Sequence, residues 1–67
     1  MADNEFGERL YELRKAKKLT QPELANRAGI TVSSVWFYEK GKTSPTITTL
    51  ELLCKALDVT ASDLLGF

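Results

Sequence analysis

The chain contains no histidine and a single cysteine, Cys54. One cysteine forms no internal disulfide, and without histidine the chain lacks the commonest ligand for transition metals. We therefore expect no metal and no cofactor, and a reducing, cytoplasmic compartment. Catalysis is disfavoured as well, because histidine is the most frequent general base and no glycine-rich phosphate loop occurs. These absences predict a protein that is not an enzyme.

Long apolar runs are also missing. No stretch approaches the roughly 18 apolar residues that a membrane-spanning helix needs, and the N-terminus is acidic rather than signal-like. We expect no membrane partner, and no small-molecule ligand is evident. The 67 residues have room for one domain. We therefore expect residues 1–67 to form a single domain. That domain is either an excised part of a longer protein or a complete small regulator, which the start at Met1 and a closing helix favour.

Net charge is zero, which taken alone argues against a nucleic-acid partner. The charges are unevenly distributed, however, with a net of −3 over residues 1–12, +4 over residues 14–27 and −2 from Glu51 onward. A basic centre between acidic ends allows one face of the protein to be positive. Lysine clusters are more often plain solvated surface, so the pattern is suggestive rather than specific.

Apolar spacing predicts five short helices and no strand. Phe6, Leu10 and Leu13 form the stripe of a first helix, which Asp3 or Asn4 caps. A fourth helix follows the turn at 44–45, is capped by Thr46, and carries a stripe expected to be buried: Ile47, Leu50, Leu53, Cys54 and Leu57. Cys54 is therefore interpreted as a small hydrophobic residue of the core.

Local signals mark the remaining helix ends. Thr20 with Glu23, and Thr60 with Asp63, have the spacing of capping boxes that start the second and fifth helices. Gly29 is suited to end the second helix in a left-handed conformation. Thr31 is the expected cap of the third helix, which stops at Gly41. Two helices joined by a short glycine-containing turn are thus predicted over residues 20–41.

A helical plot at 100° per residue divides the third helix into two sides. The side expected to pack inward carries Thr31, Ser34, Val35, Tyr38 and Glu39. The opposite side, called here the outer face, carries Val32, Ser33, Trp36, Phe37 and Lys40. An ordinary solvated face would hold Lys, Glu and Gln. Exposed aromatic residues cost solubility, so this face is expected to meet a partner.

The motifs of the chain also carry a family resemblance. They are LTQ-x-ELA, A-x-x-x-G-I-T, Y-E-x-G and L-x-x-L-x-x-A-L, in this order along the sequence. From Phe6 to Leu65 the sequence resembles a Cro/cI-type helix-turn-helix domain of the lambda-repressor-like or XRE family. The resemblance implies a compact, all-α, five-helix fold with the helix-turn-helix as helices 2 and 3. It also implies binding to an operator-like site on double-stranded DNA, commonly as a dimer.

The same resemblance implies roles for particular residues. The positions that face base edges are Val32, Ser33, Trp36 and Phe37. The positions that contact phosphates are Gln21, Lys40, Lys42, Thr43 and Ser44, with an outer base as the alternative partner of Gln21. Arg14 and Glu39 match a frequent structural ion pair between the first helix and the end of the third. The helical plot independently places Glu39 on the inward side.

One departure from the family pattern concerns the outer face. Val32, Trp36 and Phe37 stand where family members often have side chains that hydrogen-bond to bases. Such a face either reads thymine methyl groups by apolar contact, with Ser33 as its short polar reader, or binds a protein. The leading expectation is a sequence-specific DNA-binding transcriptional regulator of the repressor kind. The alternative is a protein-interaction module on the same scaffold, built on Val32, Trp36 and Phe37.

Apolar residues near the C-terminus lie outside the main stripes: Leu52, Leu65 and Phe67. They are expected either to form a homodimer surface on the C-terminal helices or, for Leu65, to complete the core.

Overall fold

Five α-helices make up the part of the chain that the structure, a computed structural model, describes, residues 5–67. They are α1 (Glu5–Ala16), α2 (Gln21–Ala28), α3 (Val32–Glu39), α4 (Ile47–Leu57) and α5 (Ala61–Leu65). The predicted all-α, five-helix fold is confirmed. The predicted cap of α1 at Asp3 or Asn4 lies outside the described residues. None of the described helices is long and apolar enough to cross a membrane.

Each helix from α2 to α5 begins with a threonine cap: Thr20, Thr31, Thr46 and Thr60. In each case the side chain accepts a hydrogen bond from a backbone N–H in the first turn, which otherwise has no partner within the helix. The capping boxes with Glu23 and Asp63 are both confirmed. A cap of this kind stabilises a helix by about 1 kcal/mol, a large contribution for helices of five to eleven residues.

The core lies where α3 packs on α1 and α2, α4 on α2 and α5, and α5 on α1. Among residues 5–67, nine apolar residues are buried there: Leu10, Leu19, Leu24, Ala25, Ala28, Val35, Leu53, Leu57 and Leu64. Phe6, Leu13 and Cys54 pack against this core while remaining half-buried. Burial raises the pKa of the Cys54 thiol, so the thiol stays protonated at neutral pH. In the described residues, α3 is buried at Val35 and Glu39, both on its inward side.

Two sequence-based placements are wrong. Ile47 was expected on the buried stripe of α4, but it is 75% exposed. It is the first residue of α4, and the core closes around Leu53 and Leu57 in the second half of the helix. Thr31 was expected to face inward, but it is exposed. As the cap of α3 it has an extended backbone, with φ −81° and ψ 154°, so the helical period does not apply to it.

Lys18, just after α1, adopts a left-handed backbone with φ 60°. We expect Lys18→Gly to stabilise the domain by about 0.5 to 1 kcal/mol. Glycine removes roughly 1–2 kcal/mol of strain, part of which is offset by the greater freedom that it gives the unfolded chain. The measurement is the midpoint of urea denaturation of the variant compared with the wild-type protein. Lys17→Gly is the control, because Lys17 is not among the positive-φ residues of the described chain. Equal or lower stability of Lys18→Gly would show that the strain is absent.

Candidate nucleic-acid interface

The junction between α2 and α3 is a three-residue turn, residues 29–31. Gly29 ends α2 with φ 75°, a conformation that side-chain-bearing residues rarely adopt. The Ile30 N–H then donates to the carbonyl of Ala25 over 3.0 Å, and Thr31 caps α3. Ala25 and Ala28 are buried, and their small side chains allow the two helices to approach closely. This is the geometry of a helix-turn-helix.

A buried polar cluster holds the two ends of this unit together; it comprises Arg14, Leu19, Gln21 and Glu39. The Glu39 carboxylate accepts hydrogen bonds from Arg14 Nε at 2.6 Å and Arg14 Nη2 at 3.0 Å. Gln21 Nε2 donates to the same carboxylate at 3.0 Å. Arg14 Nη1 donates to the carbonyl of Leu19 at 2.8 Å. The structure thus brings Arg14 and Glu39 together as a bidentate ion pair whose side chains are only 8% and 5% exposed.

The buried polar cluster fixes the direction of α3. It links the last turn of α1, the loop before α2, the first residue of α2 and the last residue of α3. The hydrogen bond to Glu39 is the main cause that raises the pKa of Arg14, so the guanidinium remains charged. Bidentate contacts restrict orientation as well as distance. Since α3 is only eight residues long, a fixed end sets the position of its whole outer face.

Sequence reasoning missed the contribution of Gln21 to this cluster. Gln21 was expected at a phosphate, but its side-chain amide donates inward to Glu39. A phosphate contact from Gln21 remains a prediction, for which its backbone N–H is a candidate donor. It belongs to the first turn of α2, where Pro22 has no N–H and the N–H of Glu23 donates to Thr20.

Three large apolar side chains of the outer face are accessible: Val32 is 43%, Trp36 40% and Phe37 42% exposed. The rings of Trp36 and Phe37 meet edge to face, with centroids 5.2 Å apart and planes inclined by 76°. Lys40 Nζ lies over the Trp36 ring at 5.8 Å from its centroid. Edge-to-face and cation–π contacts of this kind favour one arrangement of the side chains. The outer face is therefore a partly ordered apolar patch with a positive charge at one end.

Polar groups on the same side of α3 are few. Ser33 is exposed and brings a hydroxyl, while the hydroxyl of Ser34 is hydrogen-bonded to Thr31 Oγ1 at 2.9 Å. Trp36 adds one indole N–H donor. The outer face thus has little capacity for the bidentate hydrogen bonds by which side chains distinguish bases.

The loop after α3 contains the remaining predicted phosphate contacts: Lys40, Lys42, Thr43 and Ser44. All four are exposed. The backbone N–H groups of Lys40 and Lys42 donate to the Trp36 and Phe37 carbonyls, which closes the end of α3. Backbone contacts to a phosphate from this loop would therefore come from Thr43 and Ser44, and Lys42 would act through its side chain. These contacts remain predictions.

Comparison with known proteins places the chain in a family. A family model described as helix-turn-helix, HTH_3, matches residues 10–64, most of the chain. The chain belongs to this helix-turn-helix family. The predicted resemblance to Cro/cI-type domains is thereby confirmed.

Individual relatives agree with this assignment. The chain is 41% identical over 61 residues to the uncharacterized HTH-type transcriptional regulator YobD of Bacillus subtilis, covering 91% of this chain and 54% of that protein. It is 35% identical over 60 residues to the immunity repressor protein of Bacillus phage phi105, covering 90% of this chain and 42% of the repressor. The chain therefore spans about half the length of these curated relatives.

A solved structure matches at nearly full length on both sides. The restriction-modification controller protein C.AhdI from Aeromonas hydrophila superposes with a TM-score of 0.90 at 36% identity. The match covers 94% of this chain and 96% of that one. The helix-turn-helix family and the five-helix arrangement are thus supported independently by sequence and by structure.

Proposed function

We propose that this protein is a sequence-specific, double-stranded DNA-binding transcriptional regulator of the repressor kind, which places α3 in the major groove. The observation that carries the proposal is the outer face, exposed on a helix whose end is fixed by the buried polar cluster. A groove-reading helix must be presented rigidly and with accessible side chains. Relatives of the chain, an immunity repressor and a restriction-modification controller among them, support regulation as the role. We further propose that residues 1–67 act as one domain in the cytoplasm.

Affinity and selectivity divide between two neighbouring parts of this surface. The side chains of Lys40 and Lys42, with the backbone N–H groups of Gln21, Thr43 and Ser44, supply contacts to phosphates. Such contacts position the protein on any DNA sequence. The outer face of α3 then selects among sequences. A net charge of zero is compatible with this division, because both lysines lie at the end of the reading helix.

We also propose a homodimer through the C-terminal helices. Exposed apolar side chains occur there, with Ile47 75%, Leu52 38% and Phe67 88% exposed. A shallow groove of about 310 Å³ also lies on these two helices, lined by Leu50, Glu51, Cys54, Lys55 and Ala61. Two copies joined in this way would present two α3 helices to half-sites about one helical turn, or 34 Å, apart.

The alternative is a protein-interaction module, favoured by the exposed aromatic pair Trp36–Phe37. Aromatic residues in the centre of an interface often carry most of its binding energy. The two functions differ in their expected response to DNA and salt.

Replacing Lys42 by alanine is expected to weaken binding equally on every DNA sequence. Each lost phosphate contact lowers the slope of log affinity against log salt by about 0.9 per protomer. The measurement is fluorescence anisotropy with labelled mixed-sequence duplexes between 50 and 200 mM salt. The charge-matched control is Lys15→Ala, since Lys15 Nζ lies over the Tyr11 ring on α1, 5.9 Å from its centroid.

Three outcomes separate the functions. A steep salt dependence that Lys42→Ala reduces and Lys15→Ala leaves unchanged supports DNA binding through the loop after α3. Binding that does not respond to salt contradicts it. No binding of wild-type protein at either end of the salt range favours the protein-interaction module instead.

A further inference from the structure

We propose that the outer face of α3 selects pyrimidines that carry a C5-methyl group, which are thymine and, by the same chemistry, 5-methylcytosine. This inference rests on the proposed function, because it names what the groove-reading surface recognises. It follows from the chemistry of the exposed side chains and from the way in which they are held.

The exposed chemistry of the face is mainly apolar. Val32, Trp36 and Phe37 are each at least 40% exposed. Of the two neighbouring serines, Ser34 is bound to the helix cap through its hydroxyl. What remains for hydrogen bonding are the Ser33 hydroxyl, the indole N–H of Trp36 and the Lys40 ammonium, which lies over the Trp36 ring. The central part of the outer face is therefore an apolar contact surface.

The major groove contains one apolar feature, the C5-methyl group of thymine. Thymine also presents its O4 acceptor there, and the other three base edges present hydrogen-bond donors or acceptors without a methyl group. An apolar side chain set against such an edge displaces water without replacing its hydrogen bonds, which is unfavourable. When the same side chain packs against a methyl group, binding is favoured because apolar surface of both groups is removed from water. The outer face thus favours methylated pyrimidines and disfavours cytosine at the same position.

The spacing of the side chains limits how many bases are read. Val32 and Trp36 are four residues apart, as are Ser33 and Phe37, which corresponds to about 6 Å along the helix axis. With 3.4 Å per base pair along each strand, the patch reaches about three neighbouring base pairs in each half-site. The edge-to-face pairing of Trp36 with Phe37 reduces the side-chain freedom that would be lost on binding.

The test uses a DNA site that the wild-type protein selects from a random pool. Duplexes of this site are then synthesised with single base changes that remove or add one methyl group. Replacing a contacted thymine by uracil removes only the methyl group and keeps the base pair. We expect affinity to fall roughly fourfold for each contacted methyl group. Replacing that thymine–adenine pair by cytosine–guanine should weaken binding further. Methylating the new cytosine at C5 should then recover roughly fourfold.

Variants assign the effect to the outer face. In Phe37→Ala or Trp36→Ala, the thymine-to-uracil affinity ratio should fall towards one. Tyr11→Ala removes an aromatic side chain of α1 that is 47% exposed and lies outside the outer face, with its ring centroid 5.3 Å from Arg14 Cζ. It should leave the ratio unchanged even if loss of the Arg14 contact lowers both affinities. Because these side chains are exposed, the variants are expected to fold, and circular dichroism checks this. A mixed-sequence duplex should bind equally with thymine and with uracil.

The outcomes are separable from those of the proposed function. If the protein binds DNA selectively but has equal affinity for the uracil and thymine sites, recognition of the methyl group is overturned. The proposed function as a DNA-binding regulator is not affected by that result. A ratio that persists in both α3 variants also overturns it, because the methyl group is then read elsewhere. Failure to bind any DNA overturns the proposed function and this inference together.

Discussion

Glu39→Gln is expected to lower the free energy of unfolding by about 3–5 kcal/mol, because it breaks a buried ion pair from one side. The Glu39 carboxylate accepts two hydrogen bonds from Arg14 and one from Gln21. Glutamine is nearly the same size but has no charge, so the Arg14 guanidinium is left buried without its counter-ion. Domains are stabilised by about 5–15 kcal/mol, and short ones lie near the lower end. The variant should therefore be close to unfolded at 25 °C.

Urea denaturation followed by circular dichroism measures this effect. Glu5→Gln is the matched control, since Glu5 pairs with Arg9 at 3.8 Å but both side chains are solvent-accessible, 64% and 37% exposed. That change should cost no more than about 1 kcal/mol. A double variant, Arg14→Met with Glu39→Leu, should recover much of the loss, because no unpaired charge remains. Similar losses for Glu39→Gln and Glu5→Gln would mean that the buried polar cluster does not hold α3.

Local features of this fold could be predicted from the sequence. The capping boxes at Thr20 and Thr60 and the left-handed Gly29 each depend on residues within four positions of one another. Apolar periodicity then identified which faces of α1 and α2 are buried, and Leu10 and Leu24 are fully inaccessible. These features depend on residues that are close together in the sequence, so they form independently of what packs beside them.

Features that depend on which turns of two different helices are in contact could not be predicted from such local patterns. The hydrogen bond from Gln21 to Glu39 joins residues 18 positions apart, and the exposure of Ile47 depends on where the core closes. The buried ion pair was implied by the family resemblance, and helical spacing gives a second, weaker signal for it. Arg14 follows the fully buried Leu10 by four residues, and Glu39 follows the fully buried Val35 by four. Opposite charges on two inward faces indicate a pair, whereas a third partner requires the tertiary structure.

Candidate interface residues show the same limit. The outer face was obtained from helical spacing, and Val32, Trp36 and Phe37 are exposed as that spacing predicts. The edge-to-face arrangement of the two rings and the position of Lys40 over Trp36 depend on rotamers, which spacing does not determine. Their contacts with bases, and those of the following loop with phosphates, remain predictions.

Removing both aromatic rings of the outer face is expected to cost at least about 30-fold in affinity for a selected DNA site. Specific sites are typically bound 10³–10⁷ times more tightly than non-specific DNA, and central aromatic contacts contribute more than about 1 kcal/mol each. The double variant Trp36→Ala with Phe37→Ala should retain its affinity for mixed-sequence DNA, because the phosphate contacts of the loop are untouched. Anisotropy titrations on the two kinds of duplex measure both affinities. If the double variant loses affinity equally for the selected site and for mixed-sequence DNA, the aromatic pair does not contribute to base recognition.

The most direct test of α3 as the reading element is selection of bound duplexes from a random pool. Wild-type protein and Phe37→Ala would be compared in parallel, with Tyr11→Ala as the exposed-aromatic control. Wild-type and Tyr11→Ala should enrich the same short, thymine-containing motif, and Phe37→Ala should enrich a different or weaker one at the positions facing α3. If all three proteins enrich the same motif, or wild-type protein enriches none, the outer face of α3 does not read DNA sequence.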